Sequence, residues 1–282
     1  RGLGDVYKRQ DIIDQDDLND LNIITIGEIS KYIASSTGSQ FQTNALDGTD
    51  QGMSSITLRG LDHTSTLVLI NSKRQTSAGT TSNEGEGYVD INIIPQIALK
   101  QVHILKEGAT TAYGSDAISG VVNFLTQDDF EGVKLNLNQQ KTTNYNQRDS
   151  SLGILFGKKY DNSNFVFAID YIDRSPLNAS EIPGIAELGL STLGNSFKVS
   201  ADDDVDSGVY QGSYSENQWV ADPNCINNGG ILAGPFCKFL YGERFNIINT
   251  EEHLKSYLSY KFDAKSYQSK TTLIYADISV KD

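Results

Sequence analysis

Apolar and polar residues alternate one for one through five stretches in the second half of this chain, and that period of two limits what those stretches can become. Val133, Leu135 and Leu137 interleave with Lys134, Asn136 and Asn138, and Leu152, Ile154 and Phe156 follow the same rhythm. Phe165, Phe167, Ile169 and Tyr171 come next with Asp170 on the opposite face. Leu254, Leu258, Tyr260 and Phe262, then Ile274, Ala276, Ile278 and Val280, complete the set. Successive side chains of a strand point to opposite faces, so each stretch predicts an antiparallel strand with two unlike sides. A soluble sandwich and a membrane barrel share that pattern. Connection lengths separate them. Asp161 to Asn164 and Asp263 to Ser266 are short, whereas Ser175 to Asn249 part the third strand from the fourth. Transmembrane barrels join strands by short turns on one side and long loops on the other, and the parity of these connections fits. No window holds eighteen apolar residues, so no helix is predicted to span a membrane.

Composition removes other classes. The formal net charge of −13 opposes a nucleic-acid partner, since phosphate binding needs clustered Lys and Arg. His63, His103 and His253 are far apart and show no metal-ligand spacing, so no metal or other cofactor is expected. No nucleophile–base pair stands out. Ser115 lacks the Gly-x-Ser-x-Gly frame of a nucleophile elbow, and the chain is not expected to be an enzyme.

The most distinctive stretch is Val102 to Thr126, VHILKEGATTAYGSDAISGVVNFLT. An apolar strand runs into Glu107-Gly108, small residues follow, and a second strand leaves from Val121; Gly108, Gly114 and Gly120 punctuate it. No Gly-Lys-Ser/Thr closes the run, so it is not a phosphate loop. Glu107-Gly108-Ala109, Ala112-Tyr113-Gly114-Ser115-Asp116-Ala117-Ile118 and Gly120-Val121-Val122-Asn123 resemble the end of the plug domain of TonB-dependent outer-membrane receptors. Arg59-Gly60 resembles that family's Arg-Gly motif, and Asp90 to Pro95, DINIIP, its Asp-x-x-x-Ile-Pro run. The resemblance implies an α+β plug domain followed by antiparallel strands of an incomplete transmembrane β-barrel, whose full form has roughly 22 strands. It further implies residence in a Gram-negative outer membrane with the plug facing the periplasm. The implied partners are the TonB energy-transducing complex, membrane lipid and a nutrient ligand: a siderophore, an oligosaccharide or a peptide.

Taken in order, residues 1–10 (RGLGDVYKRQ) fit nothing that follows and read as non-native sequence, with the family's first strand and TonB-contacting box expected to be missing. Residues 11–128 read as the plug. Ile12-Ile13 ends a strand, Asp14 caps a short helix through Leu18, and Thr25 with Glu28 forms a capping box for a helix presenting Ile26, Ile29 and Ile33. Gly38 to Met53 reads as loop, and Thr66 to Arg74 as a hairpin in which Asn71-Ser72 stands where the family usually has Asn-Gly. Leu99 to Ile104 lacks the charges that relatives place before the glycine run, leaving Arg59 as the candidate for a plug–barrel ion pair.

Residues 129–282 read as about five barrel strands with a long outer loop over 175–249. Cys225 and Cys237, with eleven residues including turn formers between them, are expected to form a disulfide there. Asp202, Asp204 and Asp206 alternate like a calcium loop, but glycine comes one place late and no Glu sits twelfth, so a solvated acidic loop is preferred. Ligand is expected at two plug loops that the resemblance places toward the outside. These carry Asp62, His63 and Thr64, and Thr80, Thr81, Ser82, Asn83, Glu84 and Tyr88. A secreted β-rich binding or adhesion protein is the alternative.

Overall fold

The computed structural model describes residues 10–37, 39, 52–82, 85–106, 110–191, 194–199, 214–215, 217–264 and 266–281. Residues 1–9, nearly all of the loop from Gly38, Asn83, Glu84, Gly108 and the acidic run from Asp202 lie outside them. The chain divides into two compact units, Arg1–Pro176 with Ile248–Asp282, and Leu177–Ile247.

In the first unit the plug opens with β1 (Gln10–Ile13), so Gln10 is part of the folded sheet. Asp14 then caps α1 (Gln15–Leu21): its carboxylate accepts the Asp16 and Asp17 N–H groups at 2.9 and 3.1 Å, and Asp17 accepts the Asp14 N–H in return. The expected box at Thr25 and Glu28 does not form. Ile26–Tyr32 is a 3₁₀ helix, Thr25 makes no side-chain cap, and the Glu28 carboxylate accepts the Ile24 N–H at 3.3 Å instead. Three residues per turn stack Ile26 on Ile29, and both are fully buried. The apolar period was legible there although the helix type was not.

β2 (Thr66–Ile70), β3 (Lys73–Arg74), β4 (Leu99–Leu105), the single turn α2 (Thr110–Tyr113) and β5 (Gly120–Thr126) follow. The sheet order is β1-β4-β5-β2-β3, with β2 and β5 parallel and the other pairs antiparallel. Asn71 and Ser72 both take positive φ, 50° and 61°, the signature of a tight primed turn. The missing glycine is compensated by Asn123, whose carboxamide accepts the Ser72 N–H at 2.9 Å and donates to its hydroxyl at 3.1 Å. Ile56, Leu58, Ile91, Ile94, Val102 and Phe124 fill the core.

β6 (Gly132–Lys141), β7 (Arg148–Tyr160) and β8 (Ser163–Arg174) begin a second sheet, here called the wall. The second unit then holds short strands, β9 (Leu177–Asn178), β10 (Ser196–Lys198), β11 (Trp219–Ala221), β12 (Ile231–Ala233), β13 (Phe236–Lys238) and β14 (Asn246–Ile248). A disulfide joins Cys225 to Cys237, and Gly230 leaves room for it: a Cβ there would lie 2.6 and 2.7 Å from the two sulfurs.

The wall is completed by β15 (Thr250–Asp263) and β16 (Gln268–Lys281), giving the antiparallel order β16-β15-β8-β7-β6. Its five long strands match the five alternating stretches. Leu135, Leu152, Phe156, Tyr171, Leu254 and Tyr260 are exposed on one face, while the other face lies on the plug. β16 is reversed. Its apolar row faces inward, with Ile274 against the plug core and Ile278 and Val280 beside Gly52, leaving Leu273 and Tyr275 outside. Two glycines notch the inner face: a Cβ at Gly153 would lie 3.1 Å from Ile97, and one at Gly157 only 2.2 Å from the Phe130 carbonyl.

Candidate functional site

A cleft of about 250 Å³ opens on the plug beside β2 and β3. Its lining includes three of the expected ligand residues, His63, Thr64 and Tyr88, together with Arg74, Ser77 and Asp116. Local folding explains its shape. The loop after β3 closes on itself, with the Ala78 N–H donating to the Tyr88 carbonyl and the Ser82 N–H to the Glu86 carbonyl, both at 2.8 Å. Glu86 reaches across to accept the His63 N–H at 3.1 Å, and the His63 and Tyr88 rings lie 5.9 Å apart.

The expected residues do not act alike. Asp62, Thr64 and Thr81 are exposed and Thr80 is half-buried. Ser82 is buried and its hydroxyl accepts the Glu86 N–H, so it shapes the loop. Tyr88 is 4% exposed and its hydroxyl donates to Met53 Sδ at 3.2 Å. Arg74, Gln75 and Ser77 were not foreseen. Arg74 forms an ion pair with Asp116 and donates to the Tyr113 carbonyl, joining the hairpin to the glycine run.

That run is a structural clasp. Gly114 (φ 87°) starts a 3₁₀ turn over Ser115–Ala117. Gly120 (φ 143°) brings its backbone so close to β4 that a Cβ would meet the Leu105 carbonyl at 2.5 Å. Ser119 donates to the Ser65 carbonyl at 2.8 Å. Arg59, at φ 61° beside Gly60, donates to the Ile118 and Ser119 carbonyls, both at 3.0 Å. The expectation of a plug–barrel ion pair at Arg59 is therefore corrected: among the described residues it is bound within the plug, because two adjacent carbonyls of the glycine run occupy its guanidinium.

The ion pairs between plug and wall lie elsewhere and have the opposite sense, with the acid on the plug: Asp128 takes Lys270 of β16 at 2.7 Å, and Glu28 faces Arg174. Arg174, at the end of β8, is 3.6 Å from plug Glu28, 3.2 Å from Asp149 on β7 and 3.4 Å from Glu251 on β15. His253 contacts Glu251 at 3.0 Å. Further along, the plug's Gln96 N–H donates to Asp170 at 2.8 Å, and Thr126 donates to the Tyr257 hydroxyl at 2.8 Å. Fully buried Lys255 faces Asp170 on the wall and Asp90 on the plug. Burial holds the Asp90 carboxyl above its ordinary range, against N–H bonds from Ser54 and Asn92 and the neighbouring charges of Lys255 and His253. Charged residues on the inward row of alternating strands are the signal that would have found this cluster, and only Asp170 was noticed in the alternation.

With this geometry in hand, likeness to known proteins is informative. A family model described as TonB-dependent Receptor Plug Domain matches residues 4–121. An iron-regulated outer membrane virulence protein of Vibrio cholerae is 39% identical over 75 residues, 26% of this chain and 12% of that protein. A probable TonB-dependent siderophore receptor, PirA, of Acinetobacter baumannii is 28% identical over 120 residues, 41% of this chain and 16% of that protein. The chain thus spans about an eighth to a sixth of the length of these curated relatives. In three dimensions, crystal structures of the ferric enterobactin receptor PfeA and of the unliganded ferric citrate transporter FecA cover 96% of this chain, with TM-scores of 0.56 and 0.55. The chain covers 33% and 31% of them at 14% identity, a likeness of fold.

Proposed function

We infer, from a chain that carries the plug domain of a TonB-dependent receptor and the barrel strands that follow it, that the protein performs ligand-gated uptake across the Gram-negative outer membrane. The observation that carries this reading is the two-faced wall: apolar outside across β6, β7, β8 and β15, and inside bound to a plug through buried charges and hydrogen bonds. A soluble sandwich would put a wholly apolar core between two sheets, whereas here the inner face carries buried Arg174, Asp170, Glu251 and Lys255 beside its apolar patch of Leu155, Val166, Ala168 and Tyr257. The energy for plug movement would come from the TonB complex in the periplasm, and the surrounding lipid would be that of the outer membrane.

We place ligand recognition at the plug cleft lined by His63, Thr64 and Tyr88, with Asp62, Thr80 and Thr81 beside it in sequence and Ser82 shaping the loop; Asn83 and Glu84, outside the described residues, join the proposal by sequence alone. The one arginine of the cleft is already paired with Asp116, so the cleft offers hydrogen bonds more than free positive charge. A neutral solute, a sugar or a peptide, suits that lining better than a strongly anionic chelate. The relatives named for iron make ferric siderophores the first comparison. The test is uptake by whole cells carrying the full-length receptor, with and without functional TonB, using labelled ferric siderophores, oligosaccharides and short peptides. Accumulation of one class that depends on TonB supports the reading; TonB-independent surface binding alone overturns it in favour of adhesion.

A further inference from the structure

A second cleft, of about 170 Å³, lies between α1 of the plug and β6 of the wall. Its floor is aliphatic: Leu18, Ile23, Ile97 and Leu99. Its rim is made almost wholly of carboxamides, Gln15, Asn19, Asn22 and Gln96 from the plug and Asn136 and Asn138 from β6, with Lys134 the one charged group among the lining residues. The same side chains hold the plug's first helix to the wall. Asn138 donates to the Asn22 side chain at 3.1 Å, Gln140 to the Asn22 carbonyl at 2.8 Å and Lys134 to Asn19 at 3.4 Å. Gln96 donates to the Ile23 carbonyl at 2.8 Å.

This seam differs in kind from the charged contacts around Arg174. A carboxamide both donates and accepts, so an amide–amide contact can be exchanged for an amide–hydroxyl contact without desolvating a charge. A cation would find no carboxylate in this lining, and an anion only Lys134. An aliphatic floor beneath a ring of donor–acceptor groups matches a sugar ring, which has C–H faces and a hydroxyl edge. The volume is below the roughly 300 Å³ at which drug-sized pockets begin, and admits about five waters or one such ring. We propose that the α1–β6 cleft is a transit subsite for a neutral, hydroxyl-rich solute, taking one sugar-sized unit at a time. This rests on the uptake reading and narrows its substrate class.

The test uses the full-length receptor in detergent, with glucose as probe and glucuronate as its charged counterpart, read by saturation-transfer NMR. Glucose contact is expected, weakened at least about fivefold in Asn136→Val/Asn138→Val, the loss of one or two hydrogen bonds. Should that double variant fail to assemble, Asn138→Ser, too short to reach Asn22, supplies the comparison. No glucose contact, contact unchanged by these substitutions, or a preference for glucuronate overturns the proposal. The two readings fail separately: uptake without glucose contact sinks this inference alone, and contact without TonB-dependent uptake sinks the transport reading beneath it.

Discussion

Glu28 of the plug and Arg174 of the wall approach to 3.6 Å without a hydrogen bond between them, while Arg174 bonds to Asp149 and Glu251 on its own sheet. The wall therefore satisfies its arginine without the plug. Replacing Arg174 with Met should destabilise the receptor by about 3–5 kcal/mol, because buried carboxylates lose their counter-charge. Glu28→Gln should cost about 1 kcal/mol or less, since Arg174 keeps two partners. Urea unfolding in detergent distinguishes them; equal losses would contradict the asymmetry.

Gly120 and Gly114 both hold positive φ, yet their surroundings differ. An added Cβ at Gly120 meets the Leu105 carbonyl at 2.5 Å and Leu58 at 2.7 Å, while at Gly114 nothing lies within 4 Å. Gly114→Ala should cost about 1–3 kcal/mol of backbone strain, and Gly120→Ala more, by adding a clash that forces β4 from β5. Expression and thermal unfolding of the two variants give the ranking.

Asp90 gives a pH dependence whose sign can be worked out. Its carboxyl is raised in the folded state by burial, so the native protein holds that proton more tightly than the unfolded chain. Its stabilising contribution is complete below the ordinary carboxylate value and is lost as pH rises through the raised one. Asp90→Asn keeps an oxygen for the Ser54 and Asn92 N–H groups but does not titrate. The stability of the parent relative to this variant should fall from about pH 4 toward neutrality; a difference rising with pH would refute the assignment.

The outer face of the wall tests membrane insertion directly. Phe167 stands mid-strand in β8, beside Leu258 on β15 and Phe156 on β7. Phe167→Arg should cost about 2–4 kcal/mol in a bilayer-inserted barrel. Folding into lipid vesicles, followed by gel mobility without heating, reads the effect. A soluble sheet would tolerate the arginine.

The disulfide belongs to the second unit alone. Cys225→Ser/Cys237→Ser should remove about 3 kcal/mol from that unit by the loop-entropy argument. Limited proteolysis should then cut within residues 177–247 far faster, while the wall strands keep their resistance.

Much of this was readable in advance where one rule acted alone. Alternation located all five wall strands, and Asp14 marked the start of α1 because a carboxylate before a polar turn has few other uses. Thr25 and Glu28 misled because the motif has a competitor: an acid three residues on can also be drawn to the Ile24 N–H and toward an arginine 146 positions later. Arg59 was misplaced for a related reason, since sequence gives a charge but not which of several acceptors the fold brings near. Tyr88 lines the cleft, but its hydroxyl donates to Met53, a partner 35 positions away that the sequence did not point to. The reversed face of β16 could not be read either, as a strand's period says nothing about which side meets the plug.

Gly153 and Gly157 act as index marks on the wall. The inward residues between and beyond them, Ser151, Leu155 and Lys159, all carry side chains, so Ile97 and the Phe130 carbonyl seat only opposite the two glycines. Because inward positions recur every second residue, the next inward position is about 7 Å away along the strand and is filled by a side chain. The register of Ile97 and Phe130 against β7 is therefore set in discrete steps, and any sliding along that strand must first lift these two contacts clear of the wall.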